Sequence, residues 1–411
     1  DTGDTGNTGD TGNTGDTGNT GDTVFDPCDP NPCTAISNSD GVCIPEEGDF
    51  VCGCNTGFKW DGSICKSHNE FILVTSGGYH TCGINYDQKL RCWGGNVWGQ
   101  LGINSTQIKC SPEKVDDYQW ITVSAGNEHT CGIRKVDNKL YCWGKNNFGE
   151  IAQDPEKDHS EIPMMVGNLT WKSVSCGSSS SCGIDSNDHL YCWGKGGTVG
   201  DGTIFDKFTP VKISSGKWKM VSAGGGHSCG IGADDKLYCW GGGVGNTPTK
   251  INDDIWIAVS AGNNGSTCGI KGDNKLYCWG DNYFGQLGIN STDDQTTPTK
   301  VNDDEWIKID LASDHTCGIK KSDNSLYCWG SNQFGQIGDG TGGSGSINNK
   351  LIPTMVNFKG IILSAGGNST CGNKNGDKEL YCWGQNNAGQ VGTGTCDSLN
   401  YASPARVEFT Y

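Results

Sequence analysis

The chain has 411 residues, of which 65 are glycine, 23 cysteine and 14 tryptophan, and 30 Lys+Arg stand against 47 Asp+Glu for a net charge of −17. That balance argues against a nucleic-acid partner, because phosphate binding needs clustered Lys and Arg, and no run approaches eighteen apolar residues, so no membrane-spanning segment is expected. Twenty-three regularly spaced cysteines are too many for a reducing compartment, so they predict a disulfide framework and a secreted, extracellular or cell-surface location. Asp1 has neither a basic start nor an apolar stretch behind it, so either a leader has been removed or the chain is a fragment.

Composition divides the chain into a stalk over residues 1–25, a cysteine-dense module over 26–68 and a long repeat over 70–411. The stalk is a run of Asp/Asn-Thr-Gly triplets without an apolar side chain to bury through residue 23. Three readings stay open. Glycine at every third position is what a collagen-like triple helix demands, although proline is absent from the triplets. An extended, polyproline-like strand would line Thr2, Thr5, Thr8, Thr11, Thr14, Thr17, Thr20 and Thr23 along one edge, about 9.3 Å apart. O-glycans on those threonines would stiffen it, and the Asp carboxylates would favour extension. The third reading is a plain flexible linker. The glycan-stiffened strand is preferred, and it could pack beside copies of itself in a fibril decorated by the rest of the chain.

Residues 28–65 read C-x4-C-x9-C-x8-C-x-C-x10-C. The ending Cys52-Gly53-Cys54 … Gly57-Phe58-Lys59-Trp60-Asp61-Gly62-Ser63-Ile64-Cys65 resembles an epidermal-growth-factor-like module. The resemblance implies the bridges Cys28–Cys43, Cys33–Cys52 and Cys54–Cys65. So small a unit has little core, so its bridges must hold it. The calcium-binding subtype wants an acidic cluster before the first cysteine and Asp or Asn two after the third. Val24-Phe25-Asp26-Pro27 and Ile44-Pro45 occupy those places, so no metal is assigned.

The long repeat is marked by Cys-Trp-Gly at Cys92, Cys142, Cys192, Cys239, Cys278, Cys328 and Cys382, at gaps of 50, 50, 47, 39, 50 and 54 residues. Before each marker stand a VSAGxxHTCGI-like segment, a turn with Asp or Asn and then LYCWG. After it come NxxGQLG in the fuller copies, a loop and a Pro-x-x-Val/Ile segment such as Pro298–Val301. Five copies add Trp-x-x-Val/Ile, at Trp120, Trp171, Trp218, Trp256 and Trp306. Four short β-type runs per period of forty to fifty residues predict propeller blades. Seven markers predict seven blades, which bury each other's faces and leave few free edges. The pattern SAGxxHTCGI…KLYCWGxNxxGQLG resembles the regulator of chromosome condensation repeats. That implies an all-β, seven-bladed β-propeller, in a family with nuclear and secreted members; the paired cysteines resemble the secreted kind. Two copies depart from it. In the fourth, Gly241–Gly245 runs into Thr247-Pro248 with no GQLG loop, and the second has Gly149-Glu150-Ile151-Ala152, so an uneven rim is expected.

Each copy carries one cysteine in the HTC-like strand and one in LYC, ten or eleven residues apart: Cys82–Cys92, Cys131–Cys142, Cys182–Cys192, Cys229–Cys239, Cys268–Cys278, Cys317–Cys328 and Cys371–Cys382. In a hairpin such positions oppose each other, close enough for a disulfide. Free thiols are the weaker reading, and zinc weaker still, since two ligands per blade make no tetrahedral site. Cys110 and Cys396 follow the GQLG-type segments of the first and last copies, where a bridge would tie the ends of the ring together. Cys176 replaces the alanine of SAG and is expected to be small buried packing.

His80, His129, His227 and His315 recur at one position that Ser180, Ser266 and Ser369 fill elsewhere. A histidine ring could bind metal, but replacement by serine favours a structural hydrogen bond. The seven CWG tryptophans are expected to pack between blades. Gly338–Gly343 matches GxGxxG by letter, but no helix pattern follows it. No catalytic motif or cofactor is assigned. N-glycosylation sequons stand at Asn104, Asn168, Asn264, Asn290 and Asn368, a number that chance accounts for; Asn104 and Asn290 occupy matching loops. The expected role is a non-catalytic extracellular structural or binding protein. A soluble inhibitor propeller is the alternative and an extracellular enzyme the weaker one. A protein or glycan surface is expected to bind the long polar loops 102–114, 151–163, 286–298 and 337–352.

Overall fold

The computed structural model describes residues 28–409 apart from 29, 37–38, 47–48, 55–57, 61–62, 64, 68–69, 343–347, 375–378 and 398, and only the backbone of 58–60 and 65–67. The stalk and its eight candidate threonines, Thr2 to Thr23, lie outside the described residues. The chain divides into two compact units, residues 1–67 and 68–411.

In the smaller unit a 3-10 turn over Pro32–Ala35 is capped by Asn31, whose Oδ1 accepts the Cys33 N–H at 2.9 Å. Strand Ser39–Glu46 pairs antiparallel with Asp49–Cys54, and Phe58–Trp60 with Cys65–Ser67. Cys28–Cys43 and Cys33–Cys52 are bonded, and Cys33 and Cys52 form the buried centre. Cys54 is also disulfide-bonded. The Cys65 side chain lies outside the described residues.

The larger unit is built from antiparallel sheets, three of four strands and two of seven. The seven-stranded sheets arise because Lys109–Ala125 and Gln295–Leu311, each 17 residues long, are the last strand of one blade and the first of the next. Divided there, they give seven four-stranded blades. The first runs Phe71–Ser76, His80–Asn85, Lys89–Gly94 and the start of Lys109–Ala125. The fourth runs Trp218–Ala223, His227–Gly232, Leu237–Gly241 and a two-residue strand, Thr249–Lys250. The seventh ends in Leu363–Gly366, Ser369–Asn373, Leu380–Gly384 and Tyr401–Arg406.

Apolar burial lies between blades rather than inside them. One cluster joins Cys182, Ile184, Leu190 and Cys192 of blade three to Trp218, Val221 and Trp240 of blade four. Another joins Phe71, Val74 and Trp93 of blade one to Leu380, Cys382 and Val391 of blade seven, so the last blade packs on the first. Each interface buries whole aromatic and aliphatic side chains, worth roughly 1.5–3 kcal/mol apiece as an upper guide. The last glycine of GQLG is fixed by this packing. At Gly102, Gly288, Gly338 and Gly392 a Cβ would come within 2.5–2.7 Å of the indole nitrogen of Trp143, Trp329, Trp383 and Trp93. This also gives Gly338 a structural role.

Candidate functional site

Strand register brings each blade's two cysteines face to face: Cys82 opposes Cys92, Cys182 opposes Cys192, and Cys371 opposes Cys382. All seven hairpin pairs are bonded, each with a Cα–Cα distance of 4.1 Å. The bridge Cys110–Cys396 joins the outer strand region of blade one to the loop of blade seven. Cys176 is a buried free thiol, its pKa pushed up to about 12 by burial.

The histidines connect neighbouring blades. His80 Nε2 donates to Thr130 Oγ1 at 2.8 Å, and Thr130 Oγ1 in turn donates to the Gln100 carbonyl at 2.8 Å. His315, Thr370 and Gln336 repeat the relay at 2.8 and 2.9 Å. His129 reaches Ser181, and His227 reaches Thr267. The other ring nitrogen, Nδ1, is buried without a partner in His80, His129 and His315. Protonation there would bury an unpaired N–H, and burial holds these three pKa values down at about 3 and that of His227 at about 4. The same carbonyls receive the CWG indoles. Trp143 Nε1 donates to Gln100 O, Trp329 to Gln286 O, Trp383 to Gln336 O and Trp93 to Gln390 O, at 2.9–3.1 Å.

The NxxGQLG segment was expected at the rim, and the structure corrects this. Asn96, Asn282, Asn332 and Asn386 are fully buried, and Gln100, Gln286, Gln336 and Gln390 nearly so. Each Asn Oδ1 accepts a backbone N–H five residues on, such as Leu101 or Leu287. The motif is a compact internal turn that supplies carbonyls to the next blade. Blade two keeps this turn despite its glutamate. Glu150 Oε2 accepts the Phe148 N–H at 2.8 Å, as Gln100 Oε1 accepts that of Trp98 at 2.9 Å. Its other oxygen is buried unpaired, and burial raises its pKa. Packing of the Cys-Trp-Gly tryptophan is uneven only after blade four. Trp279, which follows that truncated blade, is 9% exposed, whereas the other six CWG tryptophans are 0%.

At the axis a ring of side chains was not foreseen. Thr75, Ser124, Ser175, Ser222, Ser260, Asp310 and Ser364 each accept the N–H of a residue in the next blade, at 2.8–3.0 Å. The last link, Ser364 Oγ to Ser76 N–H, closes the circle. The residue before the SAG alanine carries the signal, and it is short and hydroxylated in six of seven copies. Asp310 is the exception; burial raises its pKa to about 6, against the hydrogen bond from Ala365 and the charge of Lys308. The small central cavity, about 120 Å³, is thus lined largely by this ring, with the buried Ser76 hydroxyl left unpartnered beside it.

Among the described residues one cluster has metal-ligand chemistry: His129, Cys131 and Cys176, whose donor atoms lie within 4.8 Å of one another. Cys131 is bonded to Cys142, which leaves two donors and does not fit a tetrahedral zinc centre.

The four loops named from the sequence are shorter than expected at their far ends. Strands begin at Lys109, His159, Gln295 and Lys350, so the connections are residues 95–108, 146–158, 281–294 and 331–349, of which 343–347 lie outside the described residues. Asn104, Asn168, Asn264 and Asn290 are exposed; Asn368 is half-buried and donates to Gln385 Oε1 at 3.1 Å. Asn104 and Asn290 hold matching left-handed turns, with φ of 55° and 59°.

Residues 90–133, 137–184, 187–231, 273–319, 323–372 and 377–411 match the Regulator of chromosome condensation (RCC1) repeat. A second form of that repeat matches six segments between residues 71 and 336. The ultraviolet-B receptor UVR8 of Arabidopsis thaliana is 26% identical over 149 residues, 34% of each chain. The E3 ubiquitin-protein ligase HERC2 of Homo sapiens is 25% identical over 135 residues, 31% of this chain and 3% of that one. The matches thus span about a third or less of these relatives. In fold, the chain is similar to Prp20p from Saccharomyces cerevisiae, with a TM-score of 0.68, 19% identity and coverage of 78% of this chain and 86% of that one. It is also similar to the CRINKLY WD40 ectodomain of the Arabidopsis thaliana receptor kinase ACR4, with a TM-score of 0.52, 20% identity and coverage of 82% and 97%. Repeat motif, blade register and fold agree: the chain belongs to the regulator of chromosome condensation repeat family.

Proposed function

We propose that this chain is a non-catalytic extracellular binding protein. Its propeller head is carried by the epidermal-growth-factor-like module of residues 26–68 and the stalk of residues 1–25. The partner is a protein or glycan surface, held by the four long loops. The observation that carries this reading is that the repeated polar groups of the interior bind one another. The Nε2 atoms of the histidines, the glutamine carbonyls and the Cys-Trp-Gly indoles meet in contacts between blades, and the axial ring closes on itself. What differs from blade to blade is loop length, and exposed variable loops on a rigid frame are where recognition is built. The cysteine pairing supports an oxidising compartment. Prp20p, of similar fold, is described as binding Gsp1p and histones, which supports a protein partner.

The test is replacement of the segments that follow the buried NxxGQLG turn in these loops, residues 103–108, 153–158, 289–294 and 339–349, by the short blade-four connection, with the turns themselves left in place. Capture of the partner from native surroundings should be lost, while the fold signature in circular dichroism is kept. Unchanged capture after all four replacements sinks the reading. Electron microscopy of native material separates its two forms, since filaments support a fibril subunit and isolated discs the soluble inhibitor.

A further inference from the structure

In six blades the first-strand aromatic opposes the residue that ends the second strand. Trp120 opposes Arg134, Trp256 opposes Lys271 and Trp306 opposes Lys320. In these three blades the opposing residue is a cation laid across two rings. Lys271 Nζ is 5.3 Å from the Trp256 ring centre and 3.7 Å from that of Tyr277. Lys320 is 5.8 Å from Trp306 and 4.0 Å from Tyr327, and Arg134 is 5.1 Å from Trp120 and 3.9 Å from Tyr141. A carboxylate from the segment before the tryptophan completes each site: Asp254 and Asp304, two residues ahead of it, at 2.7 Å, and Asp116, four ahead, at 2.8 Å. The fold therefore builds one recurring receptor for a cationic head on an aliphatic stem.

In blade four the rings remain and both charged partners are gone. Trp218 opposes Gly232, in the register that Lys271 and Lys320 occupy. Two residues before Trp218, where Asp254 and Asp304 stand in their blades, is Gly216. Trp218 still meets Tyr238 edge-on at 5.5 Å, as Trp256 meets Tyr277 at 6.1 Å. The result is a cavity of about 520 Å³ walled by Trp218, Tyr238, Gly216, Gly232 and Asp234. Its backbone does not exclude a side chain. A Cβ at Gly216 would meet only Ser214 Oγ, at 3.6 Å, whereas at Gly232 it would come within 2.6 Å of Asp234 Oδ1, so that carboxylate has to turn aside. Lys217 also lines the cavity, but its ammonium donates to the Asn187 carbonyl.

We propose that this cavity receives a lysine or arginine side chain of a protein partner, in the place that blades two, five and six fill from within. Trp218 and Tyr238 present the ring faces. Asp234, which accepts the Tyr238 hydroxyl at 2.9 Å, supplies the counter-charge. The net charge of −17 favours a basic partner over an acidic one. The site goes beyond the loop reading, since none of its residues belongs to the four long loops.

The test follows the indole N–H of Trp218, which donates to Ser214 Oγ in the cavity wall, by NMR on the intact protein. The probes are N-acetyl-lysine methylamide and N-acetyl-arginine methylamide, with the norleucine analogue as uncharged control. The expected result is a saturable shift with both cations, at least tenfold weaker with norleucine. Gly216→Asp with Gly232→Lys gives the blade its own ion pair and should abolish the response. Asp254→Gly with Lys271→Gly should open a second such site, reported by Trp256; this arm decides the matter if the first variant fails to fold. No saturable shift, equal binding of norleucine, or an unchanged response in the filled variant would overturn the proposal. The loop-replaced protein should respond as the parent does, so failure of the loop reading leaves this result distinct.

Discussion

At the scale of single residues, burial of titratable groups sets the acid response. His80, His129, His227 and His315 are held neutral, with folded pKa values of about 3 to 4 against 6.5 for a free imidazole. A depressed histidine pKa means that the unfolded chain binds the proton first. The stability these residues lend is present above about pH 6.5 and is lost as pH falls toward their folded values. His315→Ser copies the residue that Ser180, Ser266 and Ser369 already provide. Chemical unfolding between pH 6.5 and 4.5 should show its slope against pH reduced by up to about 1.4 kcal/mol per pH unit. Glu150 has the opposite sign, because burial raises its pKa and the folded state favours the proton. Its penalty therefore grows as pH rises from the unfolded carboxylate range through the folded pKa. Glu150→Gln restores the residue found at Gln100, Gln286, Gln336 and Gln390, and should raise stability at pH 7 by about 1 kcal/mol. An unchanged thermal midpoint would show that Glu150 has found a partner in solution.

At the scale of elements, two kinds of bridge do different work. A hairpin bridge such as Cys82–Cys92 closes ten residues and is worth about 3 kcal/mol by chain entropy. Cys110–Cys396 spans 286 residues, and the same relation gives about 5.6 kcal/mol. Denaturant midpoints should fall further for Cys110→Ser/Cys396→Ser than for Cys82→Ser/Cys92→Ser. The reverse order would mean that ring closure rests on packing of Phe71 and Trp93 against Leu380 and Val391, with the bridge redundant.

At the scale of the molecule, the seven blades form one cooperative body because each apolar cluster belongs to two blades at once. No blade is expected to fold alone, since its Trp and Ile faces find partners only in a neighbour. The stalk is governed by different chemistry. If sugars stiffen it, the mass of the native N-terminal peptide should exceed the sequence mass by hexose increments distributed over Thr2 to Thr23. A mass equal to the sequence leaves the flexible linker.

The spacing of Cys-Trp-Gly, the ten- or eleven-residue cysteine separations and the four β-type runs per period are local, so blade count and hairpin pairing can be read along the chain. Repetition strengthens that reading, because seven copies of one pattern leave little room for another fold. Contacts between blades join residues 30 to 55 positions apart, as Thr130 to Gln100 or His315 to Thr370, and across closure they join Ser364 to Ser76. No local pattern states them, so the inward turn of NxxGQLG, the relay through glutamine carbonyls and the axial ring emerged only when blades were stacked. The vacant slot of blade four depends on both. Gly216 and Gly232 are unremarked among 65 glycines until strand register lays them where their sister blades hold an ion pair over two rings.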